Sequence, residues 1–360
     1  MGVQWVHTGY AQAIHFGPDA VDTLGEVVRQ AGIRRALLVT TEGRLASEGG
    51  ERVVARLARA LASTFDGVRS HVPTSAVEAA VAQAGADDVD GVVSFGGGSC
   101  ADLGKAVCFF VEQQRGSGLP HVSVPTTYSG AELTPFFGMT DEAARRKSGA
   151  GAPGLAPVAA LYDPVLTLDT PATVSAETGM NALAHGIECA YSPARTPEAE
   201  AIALACVERI AAALPDVVDE PGDLAARSAM LAGAVLGGRC LQNASMGVHH
   251  GLAQLLGGRT GIPHGLANAV VLSHALRFNL DAIGLAAWRI GEALGDPDDP
   301  AGAVDRLRER IGLPGRLSEC GVTEDDVEAV ARLSQGNGNV QANPRPVSEA
   351  DALAILQAAY

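Results

Sequence analysis

The stretch VDGVVSFGGGS, residues 89–99, decides how this chain is read. Residues 89–95 are a short apolar run of strand composition, stopped by Gly96, Gly97 and Gly98. Residues 101–112 then continue with helical periodicity. Three glycines between strand and helix let the backbone come close to a ligand. The free N–H groups at the start of the helix, with the positive end of its dipole, suit an anion. Ser99 adds a hydroxyl donor, and Lys105 lies two turns into the helix. The turn is not the GxGxxG fingerprint, and by itself it fits a plain strand–turn–helix connection as well. A second turn strengthens the ligand reading. VPTTYSGAE, residues 124–132, follows the strand-like HVSVP at 121–125 and presents Thr126, Thr127 and Ser129. Two donor-rich turns at the carboxyl ends of parallel strands are where an open α/β sheet binds nucleotides.

Outward from these turns, short apolar runs alternate with helical patterns. IRRALLVT (33–40) reads as a strand, 51–62 as an amphipathic helix, VRSHV (68–72) as a strand and 75–87 as a helix. This rhythm predicts a Rossmann-like α/β domain over residues 1–164, built on a parallel sheet. From about residue 170 strand signals almost vanish. Helical patterns cover 176–192, 197–214, 223–241, 245–257, 264–278 and 284–294, with prolines such as Pro171, Pro197, Pro215 and Pro263 between them. Residues 165–360 are therefore expected to form an all-helical domain carrying the substrate or metal site.

The composition narrows the function classes. With 47% hydrophobic and 19% charged residues, the 360-residue chain has ample core and is not globally disordered. Its net charge of −15 argues against nucleic acid or an anionic membrane as a partner. No run of 18 apolar residues and no signal-peptide pattern is read, and the six cysteines form no CxxC pair. A cytoplasmic protein with free thiols is expected.

Histidines supply the chemistry in the second half. Asn181 and His185 share one helical face at i, i+4. His249 and His250 open another helical pattern, and His264 follows Pro263 at the start of a third. An amide oxygen and imidazoles from separate elements suit one divalent metal such as Fe or Zn.

The motifs GGGSCADLGKA (96–106), VPTTYSGAELTPFFGMTD (124–141), ALYDPVLTLDTP (160–171), GMNALAHGIE (179–188), HHGLAQLLGGRTGIPHG (249–265) and QANPRPVSE (341–349) occur together. In kind and order they resemble the iron-type (group III) alcohol dehydrogenase superfamily, and within it the maleylacetate reductases. The resemblance runs from about residue 12 to about residue 355. It implies the dehydroquinate synthase-like fold, an active site in a cleft between two domains, and NADH or NADPH on the glycine and PTT turns. The implied cofactor residues are Thr41, Gly96, Gly97, Gly98, Ser99, Asp102, Thr126, Thr127 and Ser129. It also implies a homodimer, with the strand near residues 12–16 exchanged or paired across the interface.

The superfamily's metal ligands map onto Asn181, His185, His250 and His264. Asn181 stands where metal-dependent members carry Asp, so metal is expected to be weak or absent. Thr41 stands where NAD-specific relatives often carry Asp, with Glu42 and Arg44 beside it, so both cofactors are expected to bind. The implied catalytic set is His185, His249, His250, His264 and Gln254, the last in place of a family histidine. Lys147, in the basic run Arg145-Arg146-Lys147, and Arg345 are the candidates for a substrate carboxylate. The implied reaction is reduction of maleylacetate to 3-oxoadipate. Alternatives are a metal-dependent alcohol or aldehyde oxidoreductase, a member retuned for a biosynthetic substrate, and a non-catalytic nucleotide-binding protein.

Overall fold

The computed structural model describes residues 9–142 and 146–360 together with Trp5 and His7, without the side chain of Arg146. It divides into two compact units, Gly9–Thr170 and Pro171–Tyr360. The strands of the first unit are β1 (Ala13–Phe16), β2 (Ala36–Val39), β3 (Leu61–Phe65), β4 (Gly91–Gly96), β5 (His121–Pro125), β6 (Phe136–Asp141), β7 (Arg146–Gly151) and β8 (Ala159–Tyr162). Six of them form one parallel sheet in the order β1-β8-β5-β4-β2-β3, while β6 and β7 make a separate antiparallel hairpin. Helices α1 (Leu24–Gln30), α2 (Glu42–Leu45), α3 (Glu48–Leu57), α4 (Thr74–Ala86) and α5 (Gly98–Arg115) complete the unit. Successive strand residues serve opposite cores: Leu37, Val39 and Val92 pack with Leu103 and Val107 of α5, whereas Leu38, Val93 and Phe95 pack with Leu24 and Val53. Burial on both faces is why the central strands read as continuous apolar runs rather than alternating ones.

Several local expectations are corrected. The strand lies at 61–65, not 68–72, because His71 and Val72 both have positive φ, 62° and 47°, which a strand cannot hold. The helix read as 51–62 ends at Leu57, where Ala58 turns the chain at φ 46°. Strand β1 pairs with β8 of the same chain, Ala13 opposite Ala159, and forms one edge of the sheet. The β6–β7 hairpin escaped the sequence because its strands carry several glycines and little alternation.

The second unit begins with α6 (Ala172–Tyr191), α7 (Pro197–Asp219), α8 (Leu224–Asn243), α9 (Val248–Thr260) and α10 (His264–Ile283). Five more helices lie between Leu285 and Ala359, and no strand occurs there among the described residues. Pro215 was read as a boundary, yet α7 continues through it to Asp219. An interior proline costs about 3 kcal/mol. Burial of Leu214 and Val217 in a helix packed on α6 and α8 offsets that cost. Helix α8 is long and apolar enough, by length and composition, to cross a bilayer, and it packs against α6 and α7.

His121 on β5 shows how closely the first unit is packed. A Cβ on Gly104 of α5 would lie 2.7 Å from its Nε2, so only glycine lets the helix approach the ring. Nε2 contacts Ser94 Oγ at 2.8 Å, and burial, helped by the charge of Lys105, pushes the imidazole pKa down to about 3. The folded state thus keeps His121 neutral, while the unfolded chain binds a proton near its ordinary 6.5. Stability from this group is complete above 6.5 and is lost as pH falls towards 3. The loss is about 1.4 kcal/mol per pH unit, or about 2 kcal/mol at pH 5. Urea unfolding at pH 7.5 and pH 5 should therefore show His121→Gln losing about 2 kcal/mol less than the unaltered protein. Parallel losses in the two proteins would reject the assignment.

Candidate active site

The two turns of the first unit lean on each other. Gly96 ends β4 at φ 138°, a conformation that favours glycine, and its carbonyl accepts from Thr126 N at 2.9 Å. Gly97 caps α5 with no side-chain bond to the helix. A Cβ on Gly97 would meet the Thr127 methyl at 3.1 Å, and one on Gly98 would meet Ser129 Oγ at 2.8 Å. Thr126 Oγ1 and Thr127 Oγ1 are buried with no hydrogen-bond partner among the described residues. Ser99, half-buried, lies in the first turn of α5. Buried hydroxyls without partners beside an uncapped helix N-terminus fit a bound diphosphate.

The neighbouring polar side chains take less predictable roles. Lys105 is fully buried and does not reach the glycine turn. Its Nζ donates to Ala131 O (2.8 Å), Thr134 Oγ1 (2.9 Å) and Phe136 O, and pairs with Asp102 at 2.8 Å. Asp102 also accepts from Gly138 N, so it ties α5 to the hairpin. Arg44, considered for a 2′-phosphate, is committed to Asp169 and Thr170 Oγ1 instead. Thr41 caps α2 by accepting from Arg44 N and lines a cavity of ≈ 510 Å³ with Glu42, Asp66, Gly67 and Arg69. Lys147 is half-buried on β7, where burial lowers its pKa and Asp102 partly opposes the shift. Arg145 lies outside the described residues.

In the second unit three helices bring the histidines together. Asn181 and His185 face inward from α6, His249 and His250 lie in the first turn of α9, and His264 opens α10 after Pro263. Ring centroids stand 4.7 Å apart for His185 and His250, 5.1 Å for His249 and His250, and 5.8 Å for His250 and His264. Asn181 Oδ1, His185 Nδ1 and His250 Nε2 are buried without a partner among the described residues. Burial, then the neighbouring His250, holds His185 well below the ordinary histidine pKa and hence neutral. Burial also lowers His250, against the opposing pull of Glu188. His249 donates from Nε2 to Asn268 O at 3.0 Å, and its Nδ1 lies 3.5 Å from Glu188 Oε2.

Glu188 is the residue the sequence reading missed. It is fully buried and contacts His250 Nδ1 at 2.7 Å. Burial disfavours its charge, but the hydrogen bond from His250 and the nearness of both histidines outweigh that and hold its pKa below the usual carboxylate range. A signal was present: Glu188 stands i+7 from Asn181 and i+3 from His185, on the same face of α6. Gln254, one turn beyond His250, accepts from Asn339 Nδ2 at 3.1 Å. Arg345 is not a free cation for a substrate: its guanidinium lies 4.1 Å from the Phe278 ring centre and donates to Phe278 O.

Residues 11–164 match the iron-containing alcohol dehydrogenase family, and residues 175–360 match the C-terminal part of the Fe-containing alcohol dehydrogenase family. The chain belongs to the iron-containing alcohol dehydrogenase family. It is an oxidoreductase, and its similarity extends along the whole chain. Maleylacetate reductase of Pseudomonas knackmussii is 36% identical over 360 residues, covering 99% of this chain and 98% of that protein. The crystal structure of maleylacetate reductase from Agrobacterium tumefaciens matches with a TM-score of 0.90 at 31% identity, covering 100% of this chain and 99% of that one. Sulfoacetaldehyde reductase from Bifidobacterium kashiwanohense, solved in complex with NAD+, matches with a TM-score of 0.90 at 25% identity, covering 99% of each chain.

The glycine turn generates a direct test. Gly97→Asp puts a carboxylate against Thr127 and beside the N–H groups that would meet a diphosphate. NADH affinity should fall by roughly a hundredfold, about 2.7 kcal/mol, with the circular dichroism unchanged. Fluorescence titration reads the affinity, and an unaltered value removes this turn from the cofactor site.

Proposed function

We propose that this enzyme is an NAD(P)H-dependent reductase that converts maleylacetate to 3-oxoadipate. The observation that carries the reading is the full-length similarity to maleylacetate reductases, 36% identical over 360 residues. The reaction saturates a C=C conjugated to a ketone. A hydride adds to the carbon remote from the carbonyl, charge moves onto the carbonyl oxygen, and a proton joins the carbon beside it. The nicotinamide, when bound, supplies the hydride. The N-terminus of α5 with Gly96, Gly97, Gly98, Ser99, Thr126, Thr127 and Ser129 would hold its diphosphate, and the cavity beside Thr41 its adenosine end.

The histidine centre then deals with charge and proton. Neutral His185 and the Asn181 amide would donate hydrogen bonds to the developing oxyanion, and His264 is the proposed proton donor. Lys147 remains the candidate for a substrate carboxylate, since Arg345 is tied to Phe278. We also propose a cytoplasmic homodimer. β1 is an edge strand in the sheet order, and Phe16 on it is 44% exposed, which suits pairing of two copies.

A second reading, a metal-dependent alcohol or aldehyde oxidoreductase, is favoured by the partnerless Asn181 Oδ1, His185 Nδ1 and His250 Nε2. These residues with His264 would hold a divalent ion, which when bound polarises a carbonyl oxygen. The donor set is neutral, so binding should be weak and reversed by dialysis against chelator. Asn181→Asp adds an anionic donor and should raise Zn²⁺ affinity at least about tenfold, or about 1.4 kcal/mol, in calorimetric titration. Stoichiometric metal that survives chelation in the unaltered protein would promote the second reading.

Gln254 tests the substrate. It carries no titratable proton and is anchored by Asn339. If a histidine at 254 is needed to deliver the proton, the unaltered enzyme is slow on maleylacetate by roughly 10²–10⁴-fold relative to its histidine-bearing relatives. Gln254→His should then recover part of that loss, as followed by NADH absorbance. Fast turnover by the unaltered enzyme with no gain in the variant would instead make Gln254 a neutral replacement and exclude retuning for another acid.

A further inference from the structure

Glu188 is fully buried, and none of the roles above uses it. Its oxygens accept four hydrogen bonds. Oε1 takes Gly247 N at 2.9 Å and Tyr191 Oη at 3.2 Å, and Oε2 takes His250 N at 3.2 Å and His250 Nδ1 at 2.7 Å. Two of these donors are backbone N–H groups at the amino end of α9, where a negative charge is favoured by the helix dipole. In each of these four contacts a donor meets a carboxylate oxygen, while His249 Nδ1 stands farther off, 3.5 Å from Oε2. An ionised carboxylate has no proton to offer, so the proton in the 2.7 Å contact belongs to His250 Nδ1.

With Nδ1 protonated, the lone pair of a neutral His250 lies on Nε2. That atom is buried and has no partner among the described residues. Its ring stands between those of His185 and His264, at 4.7 and 5.8 Å. We propose that Glu188 is the positioning residue of the histidine centre: it holds His250 in the Nδ1–H tautomer and presents Nε2 to the site as a bare acceptor. Glu188 itself touches neither substrate nor cofactor. The arrangement divides labour between the histidines. His250 receives a hydrogen bond or ligates, and proton delivery falls to another group. Helix α6 thus supplies both Asn181 and His185 and, one turn further on, the carboxylate that sets the third member from α9.

Amide replacement breaks this pattern in a defined way. In Glu188→Gln one of the two oxygens becomes an NH₂ group, which then faces donors. The inference rests on reading His250 as a working residue of the proposed reductase, but its main test needs neither substrate nor cofactor. Protein labelled with ¹⁵N in histidine gives each ring nitrogen a shift that distinguishes protonated from bare, and His250→Gln identifies the His250 signals. The unaltered protein should show a protonated Nδ1 and a bare Nε2. Glu188→Gln should move His250 towards the Nε2–H form and lower kcat by roughly 10–100-fold with the KM for NADH little changed. Glu188→Asp, which keeps the carboxylate, should retain the Nδ1–H pattern. A protonated Nε2 in the unaltered protein overturns the proposal whether or not the Gln variant folds. So does an unchanged His250 pattern in a folded Glu188→Gln protein. Failure on maleylacetate with the expected tautomer rejects the substrate and leaves the role of Glu188 standing.

Discussion

A buried charge must be met by buried partners, and each unit of this enzyme has one such charge next to its proposed binding region. In the first unit it is the Lys105 ammonium, which gathers Ala131, Thr134, Phe136 and Asp102. In the second it is the Glu188 carboxylate, which gathers Tyr191, Gly247 and His250. Removing one partner from a buried ionic group costs about 3–5 kcal/mol, because the remaining charge is left uncompensated. Such groups therefore hold neighbouring segments in one geometry. Lys105 fixes the chain that follows the PTT turn, and Glu188 joins α6 to the start of α9.

The two proposed binding regions are built on different physics. The nucleotide turns depend on what is missing: side chains at Gly96, Gly97 and Gly98, and a cap on α5. Their emptiness leaves N–H groups and threonine hydroxyls for a ligand to satisfy. The histidine centre depends on what is present but uncommitted. Asn181, His185 and His250 keep acceptor atoms without partners inside a helical core, where such atoms cost roughly 1–3 kcal/mol each. A core does not normally retain that cost unless a ligand repays it. Bare acceptor atoms call for a hydrogen-bond donor or a cation, and because the set is neutral a divalent ion would be held only weakly.

Much of this was legible in the chain. The run VDGVVSFGGGS announced a buried strand entering a helix through glycine, and β4 and α5 formed there. Asn181, His185, His250 and His264 could be picked out by spacing and by motif, and the fold brings the three histidines together. Legibility failed where local pattern and tertiary context conflict. The strand drawn at 68–72 moved to 61–65, because pairing with β2 selects the segment whose dihedrals can remain extended. Pro215 looked like a helix end, yet α7 continues through it under the packing of Leu214 and Val217. Arg44, Lys105 and Arg345 read as cations ready for anionic ligands, and each is already bound to groups distant in sequence.

By itself the sequence determined the alternation of strand and helix, the glycine and hydroxyl turns and the identity of the histidine helices. These follow from periodicity and from local backbone chemistry, which act over a few residues. Only the tertiary structure decided which charges are spent and which atoms remain free. Glu188 lies 62 residues from His250, and no local pattern links them. Their contact exists because α6 and α9 pack together, and the low-dielectric core between them leaves a carboxylate no partner but the donors that the fold delivers.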